Sequence, residues 1–230
     1  MQYLCLLLSG AALLINGLAV LGRIPLRDSA VFSLLIGTTQ LALGAIYVGA
    51  AGGSDPRMLL GASGMFLFGL TYMYVGLDVL LRLGSKGLGW FSGLVGAFGL
   101  LLATIWFSSD PLLSVLWLCW AFLWIFFFVR LALGCEGLAP FIGWALVLTS
   151  QVTATIPAFM GLAGHWPYER GIATGAAAAV GVLLVVAWGL GRRKNQGPSA
   201  PVGREAAARR SRNSEQTVPD DVTVTTRTSG

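Results

Sequence analysis

Seven stretches of this chain, at 3–21, 30–51, 58–81, 88–107, 112–133, 140–162 and 171–190, are almost unbroken runs of apolar residues, each about twenty residues long. A helix needs about 20 apolar residues to cross a hydrocarbon core of ~30 Å, so the pattern predicts seven membrane-spanning helices joined by short loops. Composition agrees. Only 11% of the 230 residues are charged, 56% are hydrophobic and the mean hydropathy is +0.76. An ordinary soluble domain has roughly a quarter of its residues charged, so this chain lacks the charges to cover a soluble surface. The first run has no basic segment before it and no small-residue cleavage motif after it, and it reads as a first span rather than a signal peptide.

The cations mark topology. With the N-terminus outside, Arg23, Arg27, Arg82, Lys86, Arg130 and the Arg192, Arg193, Lys194 cluster fall on the cytoplasmic side, and only Arg57 and Arg170 fall outside. Eight against two predicts an N-out, C-in protein of the inner (cytoplasmic) membrane. Eight of the fifteen Lys and Arg lie from Arg192 onward, where the chain turns rich in Ser, Pro, Thr and Arg. That segment reads as a disordered cytoplasmic tail, solvated or resting on anionic lipid. Cations confined to boundaries and a tail, rather than to one face of a helix, do not point to nucleic acid.

Catalysis finds no foothold. The one histidine, His165, stands in a loop beside Trp166 with no nucleophile or metal-ligand partner nearby in sequence, and Cys5, Cys119 and Cys135 are few and far apart. No phosphate-binding glycine loop is present, which removes ATP-driven transport by this chain alone, and the last span has no Lys for a retinal pigment. No enzyme activity, cofactor or metal is expected.

The informative residues are those that a lipid-facing helix avoids. Asn16, Ser33, Gln40, Thr71, Asp78, Thr149, Ser150, Gln151, Thr153 and Thr155 all lie inside predicted spans. Such groups face other helices or a cavity. The sixth span is the most polar and ends in Pro157, which suits either interhelical bonding with a kink or a lining for a small neutral polar solute. Asp78, an isolated acid in a span, is expected to be protonated, watered by a pore, or paired with Arg82 four residues on. In the fifth span Trp117, Trp120 and Trp124 share one helical face, and about 10 Å of rise separates the first from the last. The stripe is read as core or lipid-facing packing, or as an aromatic slot that sieves flat solutes.

With Leu14-Ile-Asn-Gly17, Phe68-Gly-Leu-Thr-Tyr-Met-Tyr74, the Trp117 to Trp124 stripe, Thr155-Ile-Pro-Ala158 and His165-Trp166 in this order, the chain resembles the bacterial urea/amide channel (AmiS/UreI) family over about residues 4–166. The resemblance implies an all-α membrane fold, a six-helix pore bundle of three hairpins at 1–166, with a predicted seventh transmembrane helix at 167–191 and a disordered basic tail at 192–230 as additions. It implies a homo-hexamer with a pore in each protomer, and urea or short aliphatic amides such as acetamide as the solute, supplied to a cytoplasmic urease or amidase. Carried over position by position, the constriction is expected at Leu70, Tyr74, Trp117, Trp120, Leu123 and Trp124, with Leu70 standing where the urea channel has Phe. Asp78 stands where the family has Asn, and a membrane glutamate of the acid-gated member falls on Thr149. Thr149 and Gln151 are taken as pore-lining polar groups. The loop at 52–57 has no His, so acid gating is not expected. Two other readings stay open: a proton-coupled amide transporter using Asp78, and a seven-helix sensor or scaffold whose tail, with Arg204, Arg209, Arg210 and Arg212, is the working part.

Overall fold

The computed structural model describes residues 1–50 and 55–195, with side chains through Arg193, and these residues are helical throughout, with no strand. Seven helical spans are long and apolar enough to cross a membrane. They are α1 (Gln2–Val20), α2 (Leu26–Ala50), α3 (Pro56–Leu81), α4 (Lys86–Trp106), α5 (Pro111–Leu131), a composite sixth span, and α8 (Arg170–Asn195). The sixth span is α6 (Ala139–Ser150), a π turn (Gln151–Thr155) and α7 (Ile156–Leu162) in one line. The chain is a multi-pass membrane protein. Its tail, expected at 192–230, lies outside the described residues from position 196 on; α8 itself continues four residues past the expected end, through Arg192 and Arg193.

Helix ends follow local chemistry that hydropathy does not register. Two Asp-Pro pairs each start a helix. Asp55 accepts from the Arg57 N–H at 2.9 Å, Asp110 accepts from the Leu113 N–H at 3.0 Å, and Pro56 and Pro111 occupy the first turn, where a missing N–H costs nothing. Likewise α2 begins directly after Pro25, four residues before its apolar run.

Consecutive spans alternate in direction, so the first six form three hairpins, and close pairings α2 with α3, α4 with α5 and α1 with α6 knit the hairpins into a bundle. Between apolar helices in lipid, association comes from close backbone approach and interhelical hydrogen bonds. Both are present. A Cβ on Gly37 would stand 2.7 Å from the Gly69 carbonyl oxygen, and one on Gly17 would stand 2.9 Å from that of Gly143. Asn16 joins α1 to α2: its Oδ1 accepts from Ser29 at 2.7 Å and Ser33 at 3.2 Å. Gln40, fully buried, donates to the Cys5 carbonyl at 2.7 Å and Ser9 Oγ at 2.8 Å. For Asn16, Ser33 and Gln40, interhelical bonding accounts for the polarity. The added helix α8 lies along α6 and α5 through Ala173, Val180 and Ala187, and Trp188 meets Phe141 edge-on at 5.4 Å.

Candidate functional site

The first, third and fifth spans run in parallel, and α3 and α5 each turn a stripe inward. On α3 the stripe is Gly61, Gly64, Phe68, Thr71, Val75 and Asp78; on α5 it is Leu113, Trp117, Trp120, Trp124, Phe127 and Leu131. Steps of three and four residues hold a line along one face of a helix. Together with α1 they enclose two cavities set end to end.

The first cavity, about 310 Å³, opens at the face where α1 begins and is lined by Tyr3, Leu6, Gly64, Phe68, Asp110, Trp117, Trp120 and Trp166 among others. The second, about 220 Å³, opens at the opposite, Arg-bearing face, with Leu13, Asn16, Thr71, Tyr72, Asp78, Ser85, Trp124 and Arg130 in its wall. No residue lines both. On α3 the first cavity ends at Phe68 and the second starts at Thr71; on α5 the break falls between Trp120 and Trp124. One helical turn, about 5.4 Å, therefore separates them.

That layer is aromatic. The Phe68 ring lies parallel to Trp117, 3° between planes and 5.4 Å between centroids, and meets Trp120 at 5.2 Å and Trp124 at 5.5 Å edge-on. Tyr72 stands one turn below it at 6.4 Å. Gly64 gives the Trp117 ring its place, since a Cβ there would stand 2.6 Å from it. All four rings of the Phe68 group are buried, with no charged side chain among them.

Of the expected site residues, Trp117, Trp120, Trp124 and Asp78 line these cavities. The others do not. Leu70 is 46% exposed on the outer face of α3, and Tyr74 turns toward Phe91, 6.4 Å away. Two residues along a helix turn about 200°, so Phe68 and Tyr72 hold the inward positions assigned to Leu70 and Tyr74. Leu123 is 1% exposed and packed in the core. Thr149 spends its hydroxyl on the Ala145 carbonyl at 2.7 Å in its own helix, and Gln151 reaches only Ser150 at 3.2 Å.

The expected Asp78–Arg82 pair does not form. Helix α3 stops at Leu81, and Arg82 adopts the left-handed conformation, φ 55°, which carries it out of register. Asp78 instead accepts from the backbone N–H of Ser85 at 2.9 Å and from the Ser85 hydroxyl, closing the loop into α4. Among the described residues one ion pair is present, Arg130 with Glu136 at 3.3 Å. Asp78→Ala strips the loop of its acceptor and is expected to lower stability by about 1–3 kcal/mol, whereas Arg82→Ala is expected to stay within about 0.5 kcal/mol. Thermal unfolding in detergent separates the two.

At the other mouth Asp110 takes the Trp166 indole N–H at 2.9 Å, and Trp166 lies 5.2 Å from Tyr3. Burial raises the Asp110 pKa above the usual aspartate value, and the bonds from Leu113 and Trp166 oppose the shift. A carboxyl with a raised folded pKa favours folding in its protonated form. Its contribution is present below the ordinary aspartate pKa and is lost as pH rises through the folded value. Asp110→Asn is therefore expected to flatten the decline in thermal stability above about pH 4; an unchanged pH profile would contradict that sign.

The family model of the AmiS/UreI family transporter matches residues 1–165. The chain belongs to that family. A Rhodococcus erythropolis protein provisionally named transporter protein AmiS2 is 43% identical over 184 residues, 79% of this chain and 89% of the relative. A Mycolicibacterium smegmatis protein provisionally named an amidate substrates transporter is 36% identical, over 80% of this chain and 87% of its own length. The Helicobacter pylori urea channel in its closed state superposes with a TM-score of 0.66 at 24% identity, covering 73% of this chain and all of that one. A crystal structure of the same channel gives 0.64. This AmiS/UreI family member is thus a membrane transporter, not an enzyme, and it carries the urea-channel fold.

Proposed function

We propose that this protein is a passive channel for small neutral amides, urea or short aliphatic amides such as acetamide, open without an acid trigger. The observation that carries the reading is the pair of cavities, one at each face, divided by a single uncharged aromatic layer. Indole and phenyl faces accept a flat neutral solute. An ion meets no group there to replace its hydration, and stripping that shell is costly. The names of the amide-transporting and urea-channel relatives support the solute class. Residues 1–166 act as the pore unit in a homo-hexamer, with 167–191 as an added helix; the α1 start faces outward and the Arg-bearing mouth faces the cytoplasm, where a urease or amidase consumes the solute.

Proton coupling is the competing reading. Asp78 lines the inner cavity but is engaged by Ser85, and among the described residues no second acid lines that cavity. Uptake of labelled acetamide into vesicles, measured over a wide concentration range with and without a proton gradient, tests the choice. A linear, gradient-independent rate is expected; saturation with dependence on the gradient would reassign the protein to proton-coupled transport.

A further inference from the structure

The sixth span contains a π turn at Gln151–Thr155, and its position has a cause. Pro157 offers no N–H, so the regular ladder fails there, and the Ile156 N–H bonds five residues back to the Gln151 carbonyl. Thr153, inside this turn and fully buried on the same face as Thr149, meets Trp120: its hydroxyl accepts the indole N–H at 3.2 Å and donates onward to the Thr149 carbonyl at 2.9 Å. Gly10 of α1 braces the turn so closely that a Cβ there would stand 3.0 Å from the Thr155 nitrogen.

The three indoles of the layer are therefore unequal. Trp120 has its donor occupied by protein. Neither the Trp117 nor the Trp124 indole N–H has a partner among the described residues, and the Trp124 nitrogen is buried as well. Trp117 faces the outer cavity and Trp124 the inner one.

We propose that Thr153 is a positioning residue for the constriction: by holding the Trp120 N–H it fixes that ring as a donor-free wall, leaving the solute carbonyl two unclaimed donors, Trp117 before the narrowing and, once its buried N–H is turned toward the second cavity, Trp124 after it. A carbonyl passing the layer leaves one donor and reaches the next, with no third donor between to trap it. This assignment rests on the channel reading above for its consequence, though the bond itself does not.

Two readouts test it. In isotope-labelled full-length protein, the Trp120 indole N–H resonance, identified by its loss in Trp120→Phe, is expected to move upfield and exchange faster in Thr153→Val, which keeps the side-chain shape and removes the acceptor. In vesicles, Thr153→Val is expected to lower urea flux roughly threefold to tenfold, the range one net hydrogen bond controls, and Thr153→Ser to restore it. In the Trp120→Phe background, Thr153→Val is expected to have no further effect, since coupling through the N–H is then absent. Thr153→Ala serves where Val does not fold. An indole resonance unmoved in the acceptor-less variant, or an equal flux loss in the Trp120→Phe background, overturns the proposal. A moved resonance in a protein without any solute flux would keep the bond and remove the transport reading, so the two failures are distinct.

Discussion

Phe68→Ala is expected to merge the two cavities and abolish the discrimination between urea and bulkier neutral solutes such as butyramide or glycerol. Phe68 packs against all three indoles and Tyr72, and it is the residue at which the first cavity ends on α3. Removing the ring leaves a void next to both lumens, because the flanking indoles are held by their own backbones and, for Trp120, by Thr153. A methylene of fit in an apolar slot is worth about 10-fold to 200-fold in selectivity, so the ratio of urea to butyramide permeability is expected to fall by about tenfold or more. Losing a buried Phe also costs about 3–5 kcal/mol, which thermal unfolding records separately. Leu70→Ala, on the outer face, is expected to leave that ratio unchanged. The reverse result, with Leu70 controlling selectivity and Phe68 silent, would place the constriction on the wrong face of α3.

The second large effect is structural. Gly37→Val puts a branched side chain where a Cβ alone stands 2.7 Å from both the Gly69 carbonyl oxygen and the Met73 nitrogen. Those are backbone atoms of the facing helix and cannot swing aside. Overpacking a tight contact costs about 1–3 kcal/mol even where side chains give way, and here the two nearest atoms are backbone, with the Met73 side chain next at 2.8 Å. The variant is expected to lose most of its folded yield and to unfold at a lower temperature. Gly175→Ala on α8, with nothing within 4 Å of the new methyl, is expected to behave as the parent. Equal stability of the two variants would contradict the packing described for α2 and α3.

Much of this architecture is legible from apolar run length, because a bilayer demands both the length and the hydrophobicity of each span. The helix ends are less so. Hydropathy stops at the last apolar residue, whereas α2 starts at Leu26, directly after Pro25, and α8 continues through Arg192 to Asn195. The indoles of α5 are readable as one helical face because three identical side chains at steps of three and four admit a single phase; that this face turns inward is shown by the cavities. On α3 the phase was misread by two residues, and the corrective signal was already present: Asp78 and Thr71, seven apart, extend by the same step to Gly64 and pass through Phe68, not Leu70.

Two further misreadings have local causes. The Asp78–Arg82 pair presumes that the helix continues to Arg82, but it ends one residue earlier in a left-handed turn. Thr149 is expected in the pore from its polarity and from the family glutamate that falls on it, and Gln151 from its polarity, yet the Thr149 hydroxyl satisfies itself on the preceding turn, as hydroxyls in a helix commonly do, and the Gln151 amide on the neighbouring Ser150. Thr153 stands four residues beyond Thr149 on the same buried face, and its bond to Trp120 depends on how that face meets α5, which the periodicity of one segment does not give.

The central claim is that neutral amides cross this protein through the aromatic layer without a proton trigger. Stopped-flow measurement of urea and acetamide flux into proteoliposomes at about pH 5 and about pH 8, which brackets histidine titration, tests it most directly. Fast flux at both pH values, equal between them and altered by Trp120→Ala, is the predicted result. Flux no greater than in empty liposomes at either pH, or flux present at one pH alone, would contradict the account.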